Sequence, residues 1–99
     1  MASEPVFQAT GGRKAERKQY EAVVQFRAGN KRASVKVRDI SPFGARVEGV
    51  YLVHPDDRFW IKIGHIEPIE ARVAWVDEFE FGCEFLRPLN PVIFEAVTR

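Results

Sequence analysis

The feature that most constrains this chain is a period of two in hydrophobicity, repeated in short runs from Tyr20 to Phe85 and interrupted only by turn residues. Tyr20, Ala22, Val24 and Phe26 alternate with Glu21, Val23, Gln25 and Arg27, and Gly29-Asn30 follows as a turn pair. Ala33, Val35 and Val37 then alternate with Ser34, Lys36 and Arg38. After Asp39–Gly44, Ala45 and Val47 continue against Arg46 and Glu48, and this strand is expected to stop near Gly49. Phe59, Ile61 and Ile63 alternate with Trp60 and Lys62, and Gly64-His65 turns the chain. Ile69, Ala71, Val73 and Trp75 alternate with Glu70, Arg72 and Ala74 up to a turn at Asp77-Glu78, and Phe81, Cys83 and Phe85 stand opposite Gly82 and Glu84. Successive strand residues point to opposite faces, so each run has one apolar face to bury. No helical period separates the runs, which disfavours the crossovers that a parallel sheet needs. The expectation is all-β: a six-stranded antiparallel β-barrel, whose closure removes exposed strand edges.

One helix signal stands at the C-terminal end. Asn90 can cap, Pro91 suits the first helical position, and Ile93, Phe94 and Val97 supply an apolar face. A helix of roughly eight residues is marginal alone and must dock on the barrel. Residues 1–12 show no periodicity and end in Thr10-Gly11-Gly12, so they read as a flexible N-terminal arm ahead of a single domain over 13–99. A chain of 99 residues supports one hydrophobic core.

The net charge of +1 conceals an asymmetry. Residues 1–38 carry nine Lys/Arg against three acids, and residues 39–99 carry six against eleven. A basic first third attracts a phosphate-bearing partner, while the acidic remainder argues against wrapping a long polyanion. A small anion fits better. No apolar run is long enough to span a bilayer, and Met1-Ala2-Ser3-Glu4-Pro5 lacks the basic-then-apolar pattern of a secretory leader. Cys83 is the sole cysteine, which excludes an internal disulfide and a cysteine-built zinc site. It reads as a small buried hydrophobe, and a cytoplasmic setting is expected.

Enzymatic readings find little support. His54 and His65 are the only histidines, each beside turn residues, and with Asp56 and Asp57 they match no metal-ligand spacing. No nucleophile motif and no glycine-rich phosphate loop ahead of a helix is present. No metal and no cofactor is expected. Trp75 shares the face of Ile69, Ala71 and Val73, so core packing is expected for it. Trp60 lies opposite Phe59, Ile61 and Ile63, free to face solvent, a ligand or a partner.

Two short motifs carry the chemistry. Arg13-Lys14-Ala15-Glu16-Arg17 sets two guanidinium groups four residues apart just ahead of the first strand, and Asp39-Ile40-Ser41-Pro42-Phe43-Gly44 forms a polar turn between the second and third. Guanidinium groups grip phosphates and the O6/N7 edge of guanine through paired N–H donors. A polar turn at the same end of a small barrel can hold the rest of a nucleotide. Taken separately, the first motif is equally a solvated basic linker, and the second a turn that satisfies only its own backbone.

With Val73-Ala74-Trp75 and Phe81-Gly82-Cys83-Glu84-Phe85, these motifs resemble the PilZ domain family over roughly residues 13–86. The resemblance implies a six-stranded PilZ-like barrel that binds the bacterial second messenger cyclic di-GMP, with arginine-poor members serving as protein-interaction modules. It implies that Arg13 and Arg17 clamp phosphate and the guanine edge, and that Asp39 accepts guanine N–H donors or braces an arginine. Ser41 would offer a hydroxyl to the ligand, and Gly44 would allow close backbone approach. Many members carry a further arginine where this chain has Gly12, which leaves open one ligand or a stacked pair. The expected partners are cyclic di-GMP and a downstream protein, with no long nucleic acid and no membrane insertion. Two alternatives stay open: a nucleotide-independent adaptor with the same barrel, and a small nucleic-acid-binding barrel. The latter needs exposed aromatics among the basic residues, and Tyr20 and Phe26 are already accounted for by alternation.

Overall fold

Two-residue connections build most of the barrel. In the computed structural model, which describes residues 18–49 and 53–99, β1 (Lys18–Ala28) and β2 (Lys31–Ser41) are joined by Gly29-Asn30. Gly29 takes φ +60°, the left-handed conformation that lets so short a hairpin follow the strand twist. Pro42-Phe43 joins β2 to β3 (Gly44–Glu48), and Glu78-Phe79 joins β5 (Ile69–Asp77) to β6 (Glu80–Phe85). β4 (Arg58–Lys62) precedes β5. Neighbours run in the order β1-β2-β3-β6-β5-β4, and β4 pairs back to β1, so the barrel is closed and antiparallel throughout, as the alternation predicts. The arm expected over 1–12, Arg13 and Arg17 lie outside the described residues.

The inward face of each strand is apolar. Phe26, Phe59 and Phe81, from β1, β4 and β6, meet in the interior: Phe26 and Phe59 stack with centroids 4.9 Å apart, and Phe81 stands edge-on to Phe59 at 5.6 Å. Offset-stacked and edge-to-face pairs are the favoured arrangements, and each buried ring contributes roughly 2–3 kcal/mol by area alone. Val37, Ile40, Ala45, Val47, Ala71 and Val73 are fully enclosed around them. Cys83 is buried in the same interior, as expected, and burial pushes its thiol up to about 12.

Three irregularities interrupt the ladders, and two of them aim side chains outward. The β1–β2 register shifts between Gln19 and Ala22, and the β2–β3 register shifts between Val37 and Asp39. Val37 and Ile40 both point inward, so the two residues between them, Arg38 and Asp39, are both carried to the outer wall. A third shift separates Val73 from Trp75 in the β5–β6 pairing. The extra residue, Ala74, reverses the pleat, and Trp75 leaves the core face that strict alternation assigns to it. Core packing is therefore the wrong expectation for Trp75: it stands on the outside, opposite Gly82.

The chain closes with α1 (Pro91–Thr98). Asn90 Oδ1 accepts the Val92 N–H at 2.8 Å, and Pro91 occupies the first turn, where no donor is needed. Phe94 is buried and Val97 packs partly against the core, which is the docking so short a helix requires. Ile93, expected on the same face, is 39% exposed. No helix among the described residues is long and apolar enough to cross a membrane.

Candidate functional site

The polar turn between β2 and β3 is held from several sides. Ser41 is fully buried, and its Oγ accepts the Phe43 N–H at 3.1 Å across the turn. Ser41 pairs with Gly44, closing the two-residue loop. The Pro42 carbonyl accepts the Leu89 N–H, and the Phe43 carbonyl accepts the Phe85 N–H, each at 2.8 Å. The segment between β6 and α1 therefore straps the turn in place. Gly44 is buried in β3, while the left-handed glycines among the described residues are Gly29 and Gly64. Gly44 opens β3 without an unusual dihedral.

Asp39 stands two residues before Ser41 and is 5% exposed. A carboxylate so enclosed needs a charged partner. It has one in Arg46, whose Nη2 lies 2.8 Å from Asp39 Oδ2. Arg46 is a site residue that sequence reasoning missed. Its alternation signal placed it outside, between core residues Ala45 and Val47, but only the bulged β2–β3 register shows that it faces Asp39. Its Nε is shut off from solvent and has no hydrogen-bond acceptor among the described residues.

On its other side Arg46 pairs with Gly82 of β6, and Gly82 pairs with Trp75 of β5. A Cβ built on Gly82 would lie 2.1 Å from Trp75 Nε1 and 2.4 Å from Cε2. The indole therefore lies over the one position in β6 that has no side chain. The outer wall thus presents a row across β2, β3, β6 and β5: a buried carboxylate, a guanidinium, a bare backbone position and an indole.

β1 enters this neighbourhood directly. Lys18 lies opposite Ile40 and Gln19 opposite Asp39. Arg17 immediately precedes Lys18 in the chain. The structure thus brings Asp39, Ser41 and Gly44 together, while Arg13 and Arg17 fall outside the described residues. Nearby guanidiniums are occupied: Arg38 meets Glu48 at 2.9 Å and Glu21 at 3.3 Å, and the hydrogen bond it donates to Glu48 raises its pKa. Arg72 pairs with Glu84 and with Asp56, which raise its pKa in that order.

Among the described residues the site offers acceptors, donors and an indole face, and no paired nucleophile and base. Among the described residues no cluster of His, Cys, Asp and Glu could hold a metal ion. His54 and Asp57 instead close their own loop, with the His54 N–H donating to Asp57 Oδ2 at 2.9 Å.

The described residues thus form a closed six-stranded barrel with a strapped turn and a charged outer row beside it. The family model for the PilZ domain matches residues 12–98, and no curated protein matches the chain. The chain belongs to the PilZ domain family, whose members bind cyclic di-GMP or act as adaptors rather than as enzymes.

Proposed function

We propose that this domain is a bacterial, cytoplasmic receptor for cyclic di-GMP, which it binds through Arg13, Arg17, Asp39, Ser41 and Gly44. The observation that carries the reading is the β1–β2 register: Lys18 and Gln19 pair with Ile40 and Asp39, so the start of β1 runs beside the Asp39–Gly44 motif, and the reading extends this to Arg17, the residue before Lys18 in sequence. Arg13 and Arg17 supply planar forks for phosphate and the guanine O6/N7 edge. Asp39 braces an arginine, as it already does Arg46, or accepts guanine N–H donors. Ser41 acts chiefly through the turn, because its buried Oγ is engaged by Phe43. Arg46 adds a donor, and the Trp75 indole adds a plane on which a base can stack.

Binding draws the glycine-led segment Gly11-Gly12 onto the barrel wall together with Arg13 and Arg17. Ordering that segment opposes binding but supplies the signal, since it changes the surface a downstream protein meets. The test is isothermal titration calorimetry of the chain with cyclic di-GMP, with GTP as the control nucleotide. Saturable heat with the cyclic dinucleotide alone supports the receptor reading, and its stoichiometry decides between one ligand and a stacked pair. No heat at two temperatures from a folded sample overturns it. The nucleotide-independent adaptor would then stand, and the exposed apolar surface around Trp60, Leu86 and Ile93 favours that second reading.

A further inference from the structure

A second charged row crosses the barrel roughly seven residues along β2 from Asp39, about 23 Å away at 3.3 Å per residue. Arg32 of β2 pairs with Arg27 of β1, Arg27 pairs with Trp60 of β4, and Trp60 pairs with Glu70 of β5. Arg27 and Arg32 are exposed like charges placed directly opposite each other, an arrangement that destabilises a sheet. Arg38, Arg46, Arg58 and Arg72 each meet a carboxylate within 4.0 Å. Among the described residues neither Arg27 nor Arg32 has such a partner. Two uncompensated guanidiniums thus flank a tryptophan that is 38% exposed.

Trp60 and Pro68 divide two adjoining hollows. One, of about 320 Å³, is lined by Gln25, Arg27, Arg32 and Lys62. The other, of about 650 Å³, is a trough running toward α1, with Ile66, Leu86, Pro88 and Ile93 on its walls. Lys62 Nζ donates to the carbonyls of Gly64 and Ile66, which fixes the ammonium at the edge of the first hollow. Four cations (Arg27, Arg32, Lys62 and Arg87) line the pair of hollows against two carboxylates, Glu67 and Glu70, and Glu70 already faces Arg58 at 4.0 Å. The surface is positive at one end and apolar at the other.

We propose that this surface docks an acidic segment of a partner protein. An apolar side chain of the segment seats beside Trp60 in the trough, and Asp or Glu residues next to it meet Arg27 and Arg32. Tryptophan and arginine are the side chains that most often anchor protein interfaces, and charge complementarity selects the partner's sign. A nucleic acid fits less well. Its phosphates would lie against Glu67 and Glu70 along the trough, and Trp60 offers a single stacking plane. The docking requires no nucleotide, so it stands or falls apart from cyclic di-GMP binding.

The test is selection of displayed random peptides against the full chain without nucleotide, followed by affinity measurement of the recovered peptides. Recovered peptides should carry Asp or Glu close to a Leu, Phe or Trp. The double variant Arg27→Glu/Arg32→Glu should weaken them by at least about tenfold, the loss of one or two charge-assisted contacts. Trp60→Ala should weaken them comparably. Arg27→Gln/Arg32→Gln and Trp60→Phe serve as milder replacements if the first variants lose the β-sheet circular dichroism signal. No recovered peptide, peptides without acidic bias, or affinities unmoved in both sets of variants would overturn the proposal. Binding of a single-stranded oligonucleotide through these same residues would also overturn it.

Discussion

The Trp75 indole and Gly82 form one steric unit: the ring occupies the space where any Cβ on residue 82 would stand, with Nε1 2.1 Å from that point. The bulge at Ala74 turns the indole outward, and the missing side chain across the β5–β6 ladder gives it a place to lie. The late strand pair, in which Val73-Ala74-Trp75 faces Phe81-Gly82-Cys83, is thereby tied to the row that contains Arg46.

Gly82→Ala should therefore displace the indole. Overpacking of this kind costs roughly 1–3 kcal/mol, and the loss should shrink when Trp75→Ala is added, because the clash then has no partner. Tryptophan emission in a Trp60→Phe background reports the displacement directly. An unchanged spectrum together with unchanged stability would show that the ring does not rest on Gly82.

Removing Arg46 leaves the Asp39 carboxylate enclosed without the partner 2.8 Å away. Asp39 is nearly buried whereas Arg46 is about one-third exposed, so the loss for Arg46→Ala is expected near 2 kcal/mol rather than at the limit for a fully buried pair. Asp39→Ala should destabilise by a similar amount. In a double-mutant cycle from chemical denaturation, the two effects should overlap by more than about 0.5 kcal/mol. Strict additivity would mean that the pair contributes no coupling.

Arg17→Ala is expected to weaken cyclic di-GMP binding by roughly 1.5–3 kcal/mol, the range for a hydrogen bond to a charged group. Arg17→Lys should recover only part of it, because an ammonium cannot reproduce a planar fork. Calorimetry on both variants checks this. Wild-type affinity in folded Arg17→Ala protein would remove the residue from the site.

Cys83 gives the protein a pH dependence of known sign. The ordinary thiol value is about 9.0, and burial raises it to about 12 in the folded chain. Between those values the unfolded chain has released the proton and the folded chain still holds it, so unfolding is favoured as pH rises. The stabilisation is complete below about pH 9 and is lost on the way to pH 12, at up to about 1.4 kcal/mol per unit. Other groups titrate there too, so the readout is the difference between wild type and Cys83→Ala in urea unfolding. That difference should be flat below pH 9 and should narrow above it. At pH 8 a thiol reagent should modify the native protein only as fast as it unfolds; rapid modification without unfolding would contradict the burial.

Much of the fold is written in local chemistry. Alternation at Tyr20–Arg27, Ala33–Arg38 and Phe59–Ile63 marks strands because a pleated segment must hide one face, and Gly29-Asn30 and Asn90-Pro91 mark the ends they occupy. The polar motif was legible only in part: Pro42-Phe43 is a turn as expected, but Asp39 and Ser41 belong to β2 and Gly44 opens β3, because the strand ladder runs further than the turn-forming residues suggest. Trp75 was not, because alternation assigns faces only while the ladder is regular, and the bulge at Ala74 arises from pairing with β6. Ile93 was misplaced for a related reason. The side of a two-turn helix that meets the core depends on where the Pro42–Leu89 hydrogen bond sets it down.

By itself, then, the order of residues determined six strands, their apolar faces, a capped terminal helix and the composition of two polar motifs, because these depend on neighbours only a few positions apart. The tertiary structure decided which residues meet: Asp39 with Arg46, Trp75 with Gly82, Arg27 with Arg32 and Trp60. Those pairings depend on strand register and on bulges that shift it by one residue. Register is set by the closure of the whole barrel, in which each strand must match two neighbours at once.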